Sequence, residues 1–291
     1  VLFCINEESG RGVARKMKPL KPSEILDGVI EAGEEKGNSS FLRLAVLGFL
    51  AGAFIALAAA GSNVAAYNLL SNPDTYGIGK ALAGAVFTTG LMLVVAAGGE
   101  LFTGNTMMVA SLASGKTTWA KMARNWVIVY LANMAGALMV AYFIVVSGNL
   151  EASAGLLGGV TIKIAAGKTS LTFIQGVILG ILCNWLVCLG VWIAYGADTM
   201  TGKLLGCFFP IWLFVTSGFE HSVANMYYIP AGILAKGQET YLNLSGVTGE
   251  MLQSLDWSGF FLGNLIPVTL GNIVGGGLLV AGAYFLAYRK G

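Results

Sequence analysis

The sequence predicts an all-α membrane protein whose six transmembrane helices form two inverted halves of three, with the second and fifth helices broken. Three observations predict it. Of the 291 residues, 56% are apolar and only 11% charged, with a mean hydropathy of +0.73, a polytopic membrane composition rather than a globular one. Six apolar runs are long enough to cross a bilayer, and two of these hold a carboxylate midway. Polar residues of the first half return at a constant offset in the second.

The first run, Leu44 to Pro73, is rich in Ala and Gly, which allow close helix contact in lipid, and it ends in the turn Asn72-Pro73-Asp74. The second, Ala81 to Gly115, would rise roughly 50 Å as one helix, against a hydrocarbon core of ~30 Å. It must break, and Gly98-Gly99-Glu100-Leu101-Phe102-Thr103-Gly104-Asn105 supplies the interruption. Irregular backbone at that depth is tolerated only where protein buries it or it lines a wet cavity. The fifth run, Leu204 to Ala235, is interrupted in the same way by Thr216-Ser217-Gly218-Phe219-Glu220-His221. Asn125 to Leu150, Thr169 to Ala197 and Ser258 to Tyr288 complete the set. Pro210, Pro230 and Pro267 are expected to kink or end helices without chemistry. Two broken helices in corresponding positions point to a permeation site.

Asn125, Asn133 and Gly136 in the third run return as Asn264, Asn272 and Gly275 in the sixth, each 139 residues later. Glu100 and Glu220 likewise open polar runs that end in Asn105 and Asn225. Because three is odd, the second copy enters the membrane from the opposite face, which makes the repeat inverted. Asn133 and Asn272 read as interhelical hydrogen-bonding glue.

Thirteen Lys and Arg residues fall on the side of the N-terminus and four (Lys80, Lys163, Lys168, Lys236) on the other, so both termini are expected in the cytoplasm. Residues 1–40 form a cytoplasmic N-terminal segment and 41–291 the channel domain. Residues 1–16 contain neither an apolar core nor a cleavage signal, and read as an added leader with Met17 as the natural start. Ser23 is the expected N-cap of a helix over Glu24 to Lys36, with Ile25, Leu26, Val29, Ile30 and Gly33 on one face. Such a helix lies on the membrane surface or across a pore mouth. The outer loop from Lys236 to Trp257 is polar, and Trp119 and Trp257 are placed as interfacial anchors. The net charge of +2, with no dense basic cluster, gives no sign of a nucleic-acid partner. Cys183, Cys188 and Cys207 lie within spans without CxxC or paired histidines and read as small buried hydrophobes, so neither metal nor other cofactor is expected.

His221 is the single histidine, at bilayer depth beside Glu220. An intramembrane ionisable group defaults to a functional role, and the range of its titration suits exchange with a weak acid. Thr103 offers a hydroxyl, and the broken helices offer freed amides, for binding an anion. Phe87, Leu91, Leu101, Phe102, Val187 and Phe214 are apolar residues around them, suited either to packing or to dry constrictions that exclude hydrated ions. Glu100 and Glu220 read as structural acceptors at the breaks, because a carboxylate facing the pore would repel an anion. Lys168, just outside the fourth span, is placed to draw anions inward.

Gly99-Glu100-Leu101-Phe102-Thr103-Gly104-Asn105, Cys183-Asn184-Trp185-Leu186-Val187-Cys188, Ser217-Gly218-Phe219-Glu220-His221-Ser222-Val223-Ala224-Asn225-Met226 and Ile266-Pro267-Val268-Thr269-Leu270-Gly271-Asn272 together resemble the formate/nitrite transporter family. The resemblance runs from about Pro22 to Arg289. It implies an aquaporin-like protomer in a homopentamer of the prokaryotic cytoplasmic membrane, each protomer with its own pore for formate, nitrite or hydrosulfide. By motif, His221 matches the central pore histidine, Thr103 the threonine of the break, Asn184 an asparagine near the histidine and Lys168 the outer-vestibule lysine. Phe87, Leu91, Leu101, Phe102, Val187 and Phe214 match constriction positions. The motifs around His221 and Pro267 look like formate channels, those around Glu100 and Asn184 like the nitrite and hydrosulfide branches, and formate is the expected substrate.

Two rival classes fare worse. A water or glycerol channel on this architecture would carry Asn-Pro-Ala at the breaks and a filtering arginine at depth, and neither is present. A membrane enzyme subunit carrying haem or quinone fails because one histidine cannot supply two axial ligands, so no enzymatic activity is expected.

Overall fold

A computed structural model describes residues 18–289. Arg11, Arg15, Lys16 and Lys290, counted above, and the reading of residues 1–16 as a leader lie outside the described residues. Six helices among the described residues are long and apolar enough to span a bilayer: Phe41–Ser71, Pro73–Gly98, Trp119–Val146, Phe173–Gly196, Met200–Ser217 and Gly259–Tyr288. No strand occurs among them.

Helix α1 (Pro22–Asn38) begins earlier than its sequence cue, with Pro22 in the first turn. Ser23 is not the cap. Lys21 is the N-cap, and the Glu24 carboxylate in the first turn accepts from Lys21 N at 2.7 Å. The apolar face of α1, led by Ile25, Leu26 and Val29, packs on Met107, Ala110, Trp192 and Val280, so protein rather than lipid covers it. Leu20 N donates to Gly196 O and ties the entry of the helix to the end of the fourth span.

Helix α2 (Phe41–Ser71) is the first span, and Ser40 caps it by accepting from Arg43 N. The second opens as α3 (Tyr76–Leu93) and widens to a π-helical turn over Val94–Gly98. Its backbone is extended at Gly99 and Leu101, and it resumes as α4 (Phe102–Asn105) and α5 (Met108–Ala113). Helix α6 (Trp119–Val146) is the third span. Next comes α7 (Leu156–Thr169), buried along most of its length and absent from the expected elements. Its residues meet protein on several sides, so no apolar stripe marks it in the sequence, and three glycines lower its helical signal.

Helix α8 (Phe173–Gly196) is the fourth span, capped by Thr172 and Gln175. The fifth is α9 (Met200–Ser217), a break at Gly218 to His221, and α10 (Ser222–Ala235). Pro210 and Pro230 sit inside these helices without ending them. Two short helices, α11 (Glu239–Ser245) and α12 (Gly249–Gln253), occupy the stretch read as a loop. The sixth span contains α13 (Ile266–Ile273) and α14 (Ala283–Tyr288), with π-helical stretches over Gly259–Leu265 and Val274–Gly282.

The inverted repeat therefore has four elements per half, with α1 and α7 preceding the three spans of each. Close glycine contacts join the first and third spans and, symmetrically, the fourth and sixth. A Cβ on Gly136 would lie 2.0 Å from Phe49 O, and one on Gly275 would lie 2.3 Å from Ile181 O. Neither site has room for a side chain, and backbone approaches of this kind replace the hydrophobic drive that lipid removes. Gly136→Val is accordingly expected to destabilise the protein by at least about 2 kcal/mol. Gly167→Ala, which meets nothing within 4 Å, should leave stability unchanged or raise it by up to about 1 kcal/mol. Thermal unfolding in detergent compares the two.

Candidate functional site

Each broken helix leaves backbone groups unpaired at depth, and two equivalent clamps receive them. In the first, Asn133 Oδ1 accepts from Phe102 N at 2.9 Å while its Nδ2 donates to Gly48 O and Glu100 O at 2.7 and 2.9 Å. In the second, Asn272 Oδ1 accepts from Ser222 N at 2.9 Å while its Nδ2 donates to Gly180 O and Glu220 O at 2.8 and 3.0 Å. Glu100 N donates to Leu47 O, as Glu220 N does to Leu179 O. These asparagines do more than join helices: they stand in for the hydrogen bonds that the breaks give up.

The two carboxylates are bound as symmetrically. Glu100 Oε2 receives Lys36 Nζ at 2.7 Å and Asn105 Nδ2 at 2.7 Å, and Asn105 Nδ2 also donates to Asn125 Oδ1. Glu220 receives Lys168 Nζ at 2.8 Å and Asn225 Nδ2 at 2.6 Å, and Asn225 Nδ2 also donates to Asn264 Oδ1. Asn125 Nδ2 then donates to Lys36 O, and Asn264 Nδ2 to Lys168 O. A buried carboxylate is tolerable only when paired and hydrogen-bonded in this way. The clamps differ in two places. Asn264 Nδ2 also donates to Glu220 Oε2, at 3.5 Å, where Asn125 makes no such bond to Glu100. Lys36 Nζ reaches Asn105 Oδ1 at 2.8 Å, whereas Asn225 Oδ1 has no partner among the described residues.

Between the clamps lies His221, 3% exposed. It caps α10, its Nδ1 accepting from Ala224 N at 3.0 Å. A neutral ring whose Nδ1 accepts must carry its proton on Nε2, which lies 2.9 Å from Thr103 Oγ1. The imidazole thus donates to Thr103, and the hydroxyl hydrogen of Thr103 is left without an acceptor among the described residues. The Thr103 carbonyl is held by Thr106 Oγ1 at 2.7 Å, Asn184 Nδ2 at 3.1 Å and Cys188 Sγ at 3.4 Å.

Two cavities approach this pair from opposite sides. One, of about 400 Å³, is lined by Lys80, Lys163, Lys168, Phe87, Phe214 and His221. The other, of about 170 Å³, is lined by Lys36, Lys203, Leu91, Leu101 and Gly104. Phe87 meets Phe214 edge to face, with ring centroids 5.8 Å apart, and Phe214 stacks on His221 at 5.9 Å. Cations therefore line both mouths, and apolar side chains separate them.

Most of the expected residues converge here, with exceptions. Thr103, Asn184, Glu100, Phe102 and Val187 line neither cavity, and Thr103 meets the larger one only through its bond to His221. The Asn184 amide is taken up by Thr103 O, Thr106 Oγ1 and Asn272 O, so it positions the break rather than facing a ligand. Phe102 packs edge to face on Tyr130 and Trp126. Lys168 lines its cavity but is bonded to Glu220 and stands over the Tyr228 ring, 5.2 Å from its centroid. Some of the freed amides are occupied: Asn133, Asn272, His221 and the carbonyls of Leu47 and Leu179 accept from Phe102, Ser222, Ala224, Glu100 and Glu220 N, whereas the amides of Thr103 and Gly104 have no acceptor among the described residues. Sequence reasoning passed over Lys36, Lys80 and Tyr228. Lys36 had a signal: it precedes Lys168 by the same 132 residues that separate Gly48 from Gly180.

The sequence model of the formate/nitrite transporter family matches residues 23–286. The chain belongs to that family. It is 44% identical over 272 residues to an uncharacterized transporter, YrhG, of Bacillus subtilis, covering 93% of this chain and 94% of that one. It is 37% identical over 273 residues to the formate channel FocA of Escherichia coli, covering 93% and 95%. Among solved structures, a pentameric formate channel with formate bound aligns with a TM-score of 0.75 at 36% identity, over 86% of this chain and 98% of that one. An FNT family ion channel aligns at 0.77 and 26% identity, over 91% and 99%. Members of the formate/nitrite transporter family are transporters and channels, not enzymes, and nothing in these likenesses favours a neutral-solute channel.

Because Glu220 is 5% exposed, Lys168→Met should destabilise this family member by about 3–5 kcal/mol. Adding Glu220→Gln should recover most of that loss. Equal melting temperatures for the single and double variants would contradict the clamp.

Proposed function

We propose that the protein is a channel for small monovalent anions of weak acids, formate first, in the cytoplasmic membrane of a prokaryote, with both termini in the cytoplasm. The observation that carries this reading is the His221–Thr103 pair, at 2.9 Å, between two lysine-lined cavities closed by apolar side chains. Lysines at both mouths favour anions over neutral solutes. The charge asymmetry supports the orientation, which makes the Lys168 mouth the outer one. Five copies, each with its own pore, is the assembly suggested by the pentameric formate channel to which the chain is similar.

The chemistry follows from the site. An anion drawn in by the lysines loses water at the Phe87–Phe214 pair, where a bare charge is costly. The unpaired Thr103 hydroxyl donates to it, and the His221 Nε2 proton holds that hydroxyl in register. In its capped form the imidazole offers a hydrogen bond, since loss of its Nε2 proton would leave an imidazolate. Proton exchange with the anion requires a second proton on Nδ1, and that proton displaces the Ala224 amide. Glu100 and Glu220 act in the clamps, and Asn184 holds the Thr103 carbonyl.

Thr103→Val should lower formate flux into proteoliposomes by roughly ten- to a hundred-fold, the worth of one hydrogen bond to a charged group, while Thr103→Ser retains most of it. His221→Gln should remove the pH dependence of that flux. Unchanged rate and pH dependence in both Thr103→Val and His221→Gln would sink the scheme, and running formate, nitrite and hydrosulfide side by side ranks the substrates.

A further inference from the structure

The outer cavity holds more positive charge than its ion pair uses. Lys168 is committed to Glu220 at 2.8 Å. Lys80 also lines the cavity and makes no hydrogen bond or ion pair among the described residues. Its Nζ lies 3.9 Å from the position of a Cβ on Gly218, beyond the last turn of α9. The negative end of a helix dipole holds an ammonium there without neutralising it.

A second observation comes from the facing helix. Asn63 lines the same cavity, is 3% exposed, and its Nδ2 is buried with no partner among the described residues. Buried amide hydrogens are normally bonded, and leaving them unpaired is costly. Contacts between α2 and α3 fix its depth, since Gly61 faces Val86 and Gly79 faces Leu69. That register sets Asn63 level with Gly84, about one turn below Lys80 and one turn above Phe87.

We propose that Lys80 and Asn63 form an anion-holding subsite above the Phe87–Phe214 constriction, where a small monovalent oxyanion such as formate or nitrite pairs with the ammonium and accepts from the amide. The subsite deepens the anion-channel reading and rests on it for its role in transport. Lys168 then serves chiefly to hold the break, and Lys80 supplies the uncompensated charge that concentrates the anion at the outer mouth.

Two measurements on the full-length protein test this. In proteoliposomes, Lys80→Gln should raise the half-saturating external formate concentration by roughly three- to ten-fold, an effect that shrinks at high ionic strength, with a smaller change in maximal rate. Lys80→Arg should restore the wild-type value, and Asn63→Leu should raise half-saturation in the same direction. In detergent, NMR line broadening of carbon-labelled formate reads occupancy without flux, and Lys80→Gln should broaden the resonance several-fold less than wild type. Equal half-saturation or equal broadening in a well-folded Lys80→Gln variant overturns the subsite. A wild type that broadens formate through Lys80 but passes neither formate nor nitrite keeps the subsite and overturns the transport reading.

Discussion

Everything at the centre of this protein depends on paying for interrupted backbone in a medium without water. Where α3 gives way to α4, and α9 to α10, amides and carbonyls lose their helical partners at a depth where each orphan is costly. Asn133 and Asn272 accept and donate in their place, and the Glu100–Lys36 and Glu220–Lys168 pairs fasten each break to the element that precedes its half. Without those clamps the ends carrying Thr103 and His221 would have no defined position, and the 2.9 Å contact between them could not be held.

The same clamps explain why so much charge is compatible with an anion path. Both carboxylates are neutralised by lysines and amides within the protein, so the cavity on the Lys168 side presents Lys80 and Lys163 beyond what its carboxylate uses. The clamps use the amides of Glu100, Phe102, Glu220 and Ser222, which leaves the Thr103 hydroxyl and the amides of Thr103 and Gly104 as donors without an acceptor among the described residues. His221 serves both purposes, closing the N-terminus of α10 with one nitrogen and orienting Thr103 with the other.

How far the sequence reached depended on the range of each interaction. The six spans, the two breaks and the inverted repeat were legible because hydropathy, run length and the 139-residue recurrence of Asn and Gly are local or periodic signals. Helix α7 was not, because a helix surrounded by protein has no polar face to give it a period. Lys168 read as an attractor of anions rather than as half of an ion pair, and Lys36 went unmarked, because their carboxylates lie 52 and 64 residues away along the chain. Asn184, expected by resemblance near the histidine, commits its amide to the Thr103 and Asn272 carbonyls, which only a folded chain brings within its reach.

By itself, then, the sequence determined that this is an all-α membrane protein with two interrupted helices and one histidine at bilayer depth, because chain length set against bilayer thickness leaves no other arrangement. Tertiary structure alone decided which nitrogen of that histidine carries the proton, which lysines are committed to ion pairs, and that Thr103 keeps a hydrogen to give. Those outcomes turn on donors and acceptors that meet across the two halves of the repeat, and no pattern within a single helix encodes such a meeting.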